Sequence, residues 1–245
     1  MARARTFIIT RPAGDSARFM AAARAAGHAV IAAPLLSIEM KPAASVPERN
    51  WQAVAITSAN GARGVAAHPA REKLIRARAI TVGPASSEAA RAAGFTDILQ
   101  AEGDVKALIC AVADNLDPAA GPVLYASGAI TRGDLQGELA ARGFEVTRVV
   151  FYEAVQAPAL PEEAARLLRS GERALVALYS PRTAKIWAAL ASKAGLAEQA
   201  ASCAYACLSR NVADALTERL PGARGIIVPP APDEPSLLAA LGLAE

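Results

Sequence analysis

Aromatic residues, histidine and cysteine are scarce in this chain, and each shortage removes a class of function. Only 4% of the 245 residues are aromatic, which leaves little material for the stacking platforms of sugar- or nucleic-acid-binding proteins. The two histidines, His28 and His68, stand in no metal-ligand spacing, so no metal site is expected. The three cysteines, Cys110, Cys203 and Cys207, contain no Cys-x-x-Cys, and an odd set of thiols suits a reducing, cytoplasmic compartment. No Gly-x-Gly-x-x-Gly follows the first strand, which argues against dinucleotide binding. Between Met1-Ala2-Arg3-Ala4-Arg5 and Thr10-Arg11-Pro12 lie only a few strand-like residues, too short for the apolar core of a signal peptide. No run approaches a membrane span.

What is present is alanine-rich apolar material, 53% hydrophobic in all, enough for closely packed helices on sheets. The length suits two domains of ordinary size. A net charge of +3 comes from scattered rather than clustered basic residues. That pattern fits a small anionic ligand better than nucleic acid, which calls for a basic stripe.

One stretch occurs twice. Ala53-Val54-Ala55-Ile56-Thr57-Ser58-Ala59-Asn60-Gly61-Ala62-Arg63 returns as Leu175-Val176-Ala177-Leu178-Tyr179-Ser180-Pro181-Arg182-Thr183-Ala184-Lys185. Each copy runs apolar, turns at a serine and opens a helical pattern, as a buried parallel strand does when it feeds a helix. The serine caps the helix, and the following N–H groups suit an anion. For either serine alone a plain capped turn is the better account; the pair implies duplication.

The remaining segments fall into the same scheme. Thr6–Thr10 is a strand, Arg11-Pro12-Ala13-Gly14 its turn, and Asp15 or Ser16 the cap of a helix that Gly27 stops. Val30–Ile38 is extended with a break at Pro34. Ile80–Pro84 is a second strand-to-helix turn, with Ser86 and Ser87 at the helix start. Val123–Ser127, a helix ending at Gly143 and an extended run from Thr147 to Val155 repeat the N-terminal pattern. Glu162–Arg169 is helical. Cys203–Ser209 and Asn211–Leu220 repeat the strand and helix around Val82-Gly83-Pro84. The order is A-B-C then A′-B′-C′, offset by 116 residues from Gly27 to Gly143 and by 122 from Ser58 to Ser180. Pro34 and Pro158 mark the extended runs as connectors rather than central strands.

The expected fold is therefore α/β, with two doubly wound parallel-sheet domains joined by a two-stranded hinge, one inserted in the other. Residues 1–36 with 157–245 form the discontinuous domain, 41–150 the inserted one, and 32–40 with 149–157 the hinge. The strand C-termini of both sheets are expected to face a cleft.

Thr10-Arg11-Pro12, Ile56-Thr57-Ser58-Ala59-Asn60-Gly61, Val82-Gly83-Pro84-Ala85-Ser86, Ala101-Glu102-Gly103-Asp104, Phe151-Tyr152-Glu153 and Tyr179-Ser180-Pro181, in this order, resemble the uroporphyrinogen-III synthases. Asn211 and Val212 depart from the threonines many relatives carry. The resemblance implies cofactor-free closure of the linear tetrapyrrole hydroxymethylbilane to uroporphyrinogen III in haem biosynthesis, with inversion of ring D and loss of water. It further implies Tyr152 as general acid. For the substrate's carboxylates it implies Arg11, Thr57, Ser58, Asn60, Arg63, Gly83, Ser86, Ser127, Ser180, Arg182, Thr183 and Ser209. The helix N-termini after Ser58, Ser86, Ser180 and Ser209 supply N–H donors. Besides this polycarboxylate, no nucleic acid, membrane or metal partner is expected, and the chain is expected to be a monomer. The competing reading is a two-domain protein that binds a small anion without catalysis.

Overall fold

The computed structural model describes residues 4–131 and 133–243, residues 13–15 by backbone alone. In chain order come β1 (Thr6–Ile9), α1 (Ala13–Ala25), β2 (Ala29–Ala32), β3 (Leu36–Met40), β4 (Ala53–Ile56), α2 (Ala59–Ala66), α3 (Arg71–Leu74), β5 (Arg78–Val82), α4 (Gly83–Ala93), β6 (Ile98–Ala101) and α5 (Val105–Asn115). Then follow β7 (Val123–Gly128), α6 (Leu135–Ala140), β8 (Val146–Gln156), α7 (Glu162–Arg169), β9 (Ala174–Leu178), α8 (Pro181–Lys193), α9 (Ala197–Ala201), β10 (Ala204–Cys207), α10 (Arg210–Arg219), β11 (Ile226–Ile227) and α11 (Glu234–Ala240).

The chain divides into two compact units, residues 1–37 with 155–245 and residues 38–154. The first holds a sheet of order β11-β10-β9-β1-β2; the second is built on the order β3-β8-β7-β4-β5-β6. Both chain segments share the first sheet because β1 pairs in parallel with β9, Thr6 opposite Ala174. The fold class expected from the duplicated pattern is borne out, including the insertion of one unit within the other.

Alternation along each strand sorts side chains to the two sheet faces, so each unit has two core layers. In the first unit Ile8, Val176, Leu178 and Tyr205 join Trp187 and Leu216 on one face. Phe7, Ile9 and Leu175 join Phe19 and Leu237 on the other. The second unit does the same with Val54, Ile56 and Leu124 against Val65 and Leu74, and with Ile80 and Tyr125 against Leu108 and Leu139.

Some local expectations need correction. The run from Val146 to Gln156 is a single long strand, not only a connector. Its first half pairs in parallel with β7, Val123 opposite Val146. Its second half meets β3 running the other way, with Lys41 N–H donating to Phe151 O (2.7 Å) and Ala157 N–H to Leu35 O (3.0 Å). Pro158 falls just beyond the paired residues, which is why it did not break the strand. Neither Asp15 nor Ser16 precedes α1. Pro12 holds the cap position, and the Ser16 hydroxyl reaches back to Pro12 O (3.2 Å) from inside the first turn. The Asp15 side chain lies outside the described residues.

Candidate active site

Both sheets reverse their winding at one point. In the second unit the chain runs outward from β4 through β5 to β6, then returns to place β7 on the other side of β4. In the first unit the same reversal lies between β1 and β9. Crevices at the carboxyl ends of strands on either side of such a reversal are where open α/β sheets bind ligands. The residues just after β4 and β7 are Thr57, Ser58 and Ala129; those after β1 and β9 are Thr10, Arg11, Tyr179 and Ser180.

In the second unit, Ser58 caps α2, its hydroxyl oxygen accepting from Gly61 N–H (3.3 Å). The same oxygen lies 2.8 Å from the phenolic oxygen of Tyr152 on β8. Two small residues make this meeting possible. A Cβ on Gly64 would stand 2.6 Å from the Phe151 Cβ, so only glycine lets α2 lie this close to β8. A Cβ on Gly128 would stand 2.7 and 2.9 Å from Tyr152 ring carbons, so the ring lies flat on bare backbone. The pairing of β7 with β8 slips at Ser127/Gly128, a bulge that sets Gly128 opposite Tyr152. Arg148 clamps this bulge: Nε donates to Ser127 Oγ and Nη2 to the Gly128 and Ala129 carbonyls, each at 2.9 Å. Ala129 N–H closes the ring of contacts by donating to Tyr152 O (2.9 Å).

Around this pair, Thr57 Oγ1 lies 3.4 Å from the Tyr125 hydroxyl, and Asn60 Oδ1 accepts from the exposed Arg63 (2.8 Å). Gly83 opens α4 with φ +68°, a left-handed turn that glycine makes without strain. Two expectations shift here. Ser86 does not precede a helix; α4 begins at Gly83, so Ser86 is buried within its first turn. Ser127 is fully buried and donates to Val149 O (3.2 Å) while accepting from Arg148, so its hydroxyl is committed to the sheet.

In the first unit, Ser180 and Thr183 form a reciprocal capping box at the start of α8, each side chain bonded to the other's backbone N–H at 3.1 Å. Arg182 is exposed on the first turn. Thr10 Oγ1 donates to Ala177 O (2.6 Å), tying the end of β1 to β9. Arg11 is not a free cation. Its guanidinium sits 4.6 Å from the centroid of the Tyr179 ring and pairs with Glu234 at 3.3 Å. The Tyr179 hydroxyl is enclosed without a hydrogen bond among the described residues. Burial, reinforced by Glu234, pushes its pKa well above the usual phenol value. Ser209 holds the cap position of α10 but makes no capping bond. Asn211, in the first turn of that helix, is exposed.

Sequence reasoning named Ser58 and Tyr152 but not the contacts that join them. The pattern Gly61-x-x-Gly64 on a short helix signals close backbone approach, and Arg148, four residues before Tyr152, carries the clamp. Among the described residues, no group of three or more His, Cys, Asp or Glu is placed to hold a metal ion.

Two α/β units, each with a helix-capping serine at its winding reversal, define a duplicated open-sheet α/β protein. The family model for uroporphyrinogen-III synthase HemD matches residues 17–239, so the chain belongs to the uroporphyrinogen-III synthase family. It is a cyclising lyase of tetrapyrrole biosynthesis, converting hydroxymethylbilane to uroporphyrinogen III with inversion of ring D and loss of water. Among solved structures, uroporphyrinogen-III synthetase from Helicobacter pylori 26695 is similar, with a TM-score of 0.67 at 16% identity over 98% of this chain and 99% of that one. A mutant uroporphyrinogen III synthase from the extremely thermophilic bacterium Thermus thermophilus has a TM-score of 0.54 at 21% identity over 98% of this chain and 96% of that one. No curated protein matches in sequence.

Proposed function

We propose that Tyr152 is the general acid of this ring closure and that Ser58 holds and supports it. The observation that carries the assignment is the 2.8 Å contact between the two hydroxyls at the N-terminus of α2. The substrate's pyrrole nitrogen pushes out the terminal hydroxide, which takes the phenolic proton and leaves as water. The negative charge then left on the phenolate faces the Ser58 hydroxyl and the positive end of α2, which stabilise it. Ring D attacks the exposed methylene through its substituted carbon, the spiro intermediate fragments, and reclosure inverts the ring. The proton lost when ring D regains aromaticity restores the phenol, so no proton is consumed.

The electrophile closes without inversion when left alone, so the protein must favour one cyclisation over another. About 3–4 kcal/mol of differential transition-state stabilisation gives a few hundredfold, within reach of shape and several hydrogen bonds. The N-terminal amides of α2 and α8, with Thr57, Asn60, Arg63, Gly83, Arg182 and Thr183, take the substrate carboxylates. Arg11 joins them by exchanging Glu234 for a substrate carboxylate. The helix starts beside Ser86 and Ser209 serve in the same way, whereas the Ser127 hydroxyl is committed to Val149 O and Arg148. The enzyme works in the cytoplasm as a monomer, without metal, organic cofactor or nucleic-acid partner. Among the described residues no helix is long and apolar enough to cross a membrane.

The test is incubation with hydroxymethylbilane, with chromatographic analysis of the product isomers. Tyr152→Phe should slow turnover about 100-fold, the low end for general-acid help, with the product still mostly type III. Release of mostly type I at near-normal rate would show that the phenol steers ring D rather than protonating the leaving group.

A further inference from the structure

A cavity of about 610 Å³ lies in the first unit, at the opposite end of its sheet from Ser180. It crosses the amino ends of four adjacent strands. Arg5 precedes β1, Arg173 precedes β9, Cys203 precedes β10 and Arg224 lies just before β11. The floor is apolar, formed by Ala204, Ile226 and Ile227 among others, and no acidic residue among the described residues lines it. The three arginines make no ion pair among the described residues. Strands spaced about 4.8 Å apart put Arg5 and Arg173 side by side and Arg224 about 14 Å from Arg5 at the other end. An unpaired guanidinium at each end of an apolar floor demands a ligand with matching parts. Its body must be flat and apolar, to cover the half-buried Ala204, Ile226 and Ile227. Its anions must stand on opposite edges, about 10–15 Å apart.

We propose that this cavity is a second ligand site, distinct from the strand carboxyl ends, for a flat polycarboxylate with an apolar body. The chemistry matches a cyclic tetrapyrrole carboxylate. A strand of four to five residues separates the two ends by about 15 Å, so a ligand here leaves the Ser180 position free. Cys203 in the floor does not compete as a nucleophile, because burial holds its thiol protonated.

The probe is uroporphyrin I, a stable flat octacarboxylate, read by hydrogen exchange with mass spectrometry at low salt. Protection is expected in the segments around 173–176, 202–206 and 224–227. In Arg5→Gln/Arg173→Gln/Arg224→Gln the concentration giving half-protection there should rise roughly tenfold or more, while hydroxymethylbilane turnover stays at the wild-type rate. Equal protection in the triple variant overturns the site, as does protection confined to the strand carboxyl ends. Citrate protecting these segments as well as the porphyrin does would overturn the requirement for a flat apolar body. Because exchange is read without turnover, failure of the catalytic assignment leaves this result interpretable.

Discussion

At the scale of single residues, the site depends on absent atoms as much as on present ones. Gly128→Ala would set a Cβ at 2.7 Å from the Tyr152 ring, and the ring must move because the backbone beneath it is clamped by Arg148. We expect kcat to fall as far as in Tyr152→Phe, with a stability cost of about 1–3 kcal/mol from overpacking. A kcat within twofold of wild type would mean the ring's seat is irrelevant. Arg148→Met should also lower kcat while leaving KM nearly unchanged, since the arginine reaches backbone carbonyls and not substrate; a pure KM effect would contradict that. The thiols give an independent check on burial. Cys110 is exposed, whereas burial raises the pKa of Cys203 and pushes that of Cys207 up to about 12. An aromatic disulfide reagent at neutral pH should titrate one thiol in the native protein and three after denaturation.

At the scale of elements, helix starts were legible where a side chain does the capping and obscure where backbone geometry does. Ser58, Ser180 and Asp104 accept from N–H groups two or three residues on, a pattern written in residue types. The start of α4 is made by the left-handed Gly83 before Pro84, with no capping side chain, so the serines that follow drew the reading too far along. The clamp on Tyr152 was illegible for another reason. It joins residues of two strands through a bulge, and local pattern carries no signal for a one-residue slip in pairing. Replacing Ser58 and Ser180 together by alanine removes two caps, each worth about 1 kcal/mol, and should raise KM for hydroxymethylbilane; an unchanged KM would remove the helix starts from carboxylate binding. Helix α11 offers a pH test. Bonds from Ser236 to the Asp233 cap hold that carboxyl below its usual pKa. The group is depressed on folding, so its contribution is complete above the ordinary carboxylate range and disappears as pH falls through the folded value. The stability gap between wild type and Asp233→Asn, measured by denaturant titration, should narrow as pH drops below about 4. A gap constant down to about pH 3 would contradict the cap's charge dependence.

At the scale of the whole molecule, the crossed order was readable because the two serine turns and the two N-terminal-like segments repeat at nearly equal offsets, and parallel sheets require each edge segment to find a partner. A fragment of residues 38–154, which keeps the core residue Phe151, should fold alone, read by a cooperative thermal transition; proteolysis that releases two contiguous halves near residue 120 would contradict independent folding of the inserted unit. Turnover should survive dialysis against a chelator, and a rate restored only by added divalent ions would overturn the metal-free mechanism. The interleaving also sets a timetable for synthesis. Thr10 and its partner Ala177 are 167 residues apart. At ordinary translation rates, β1 therefore waits roughly ten to thirty seconds for β9 to emerge. During that interval Phe7, Ile8 and Ile9 keep the β9 side of β1 bare, and the inserted unit, which ends at Ala154, is complete only about twenty residues before β9 begins. The amino-terminal forty residues are thus the part of the nascent chain most exposed to aggregation, and the part a ribosome-associated holdase would protect.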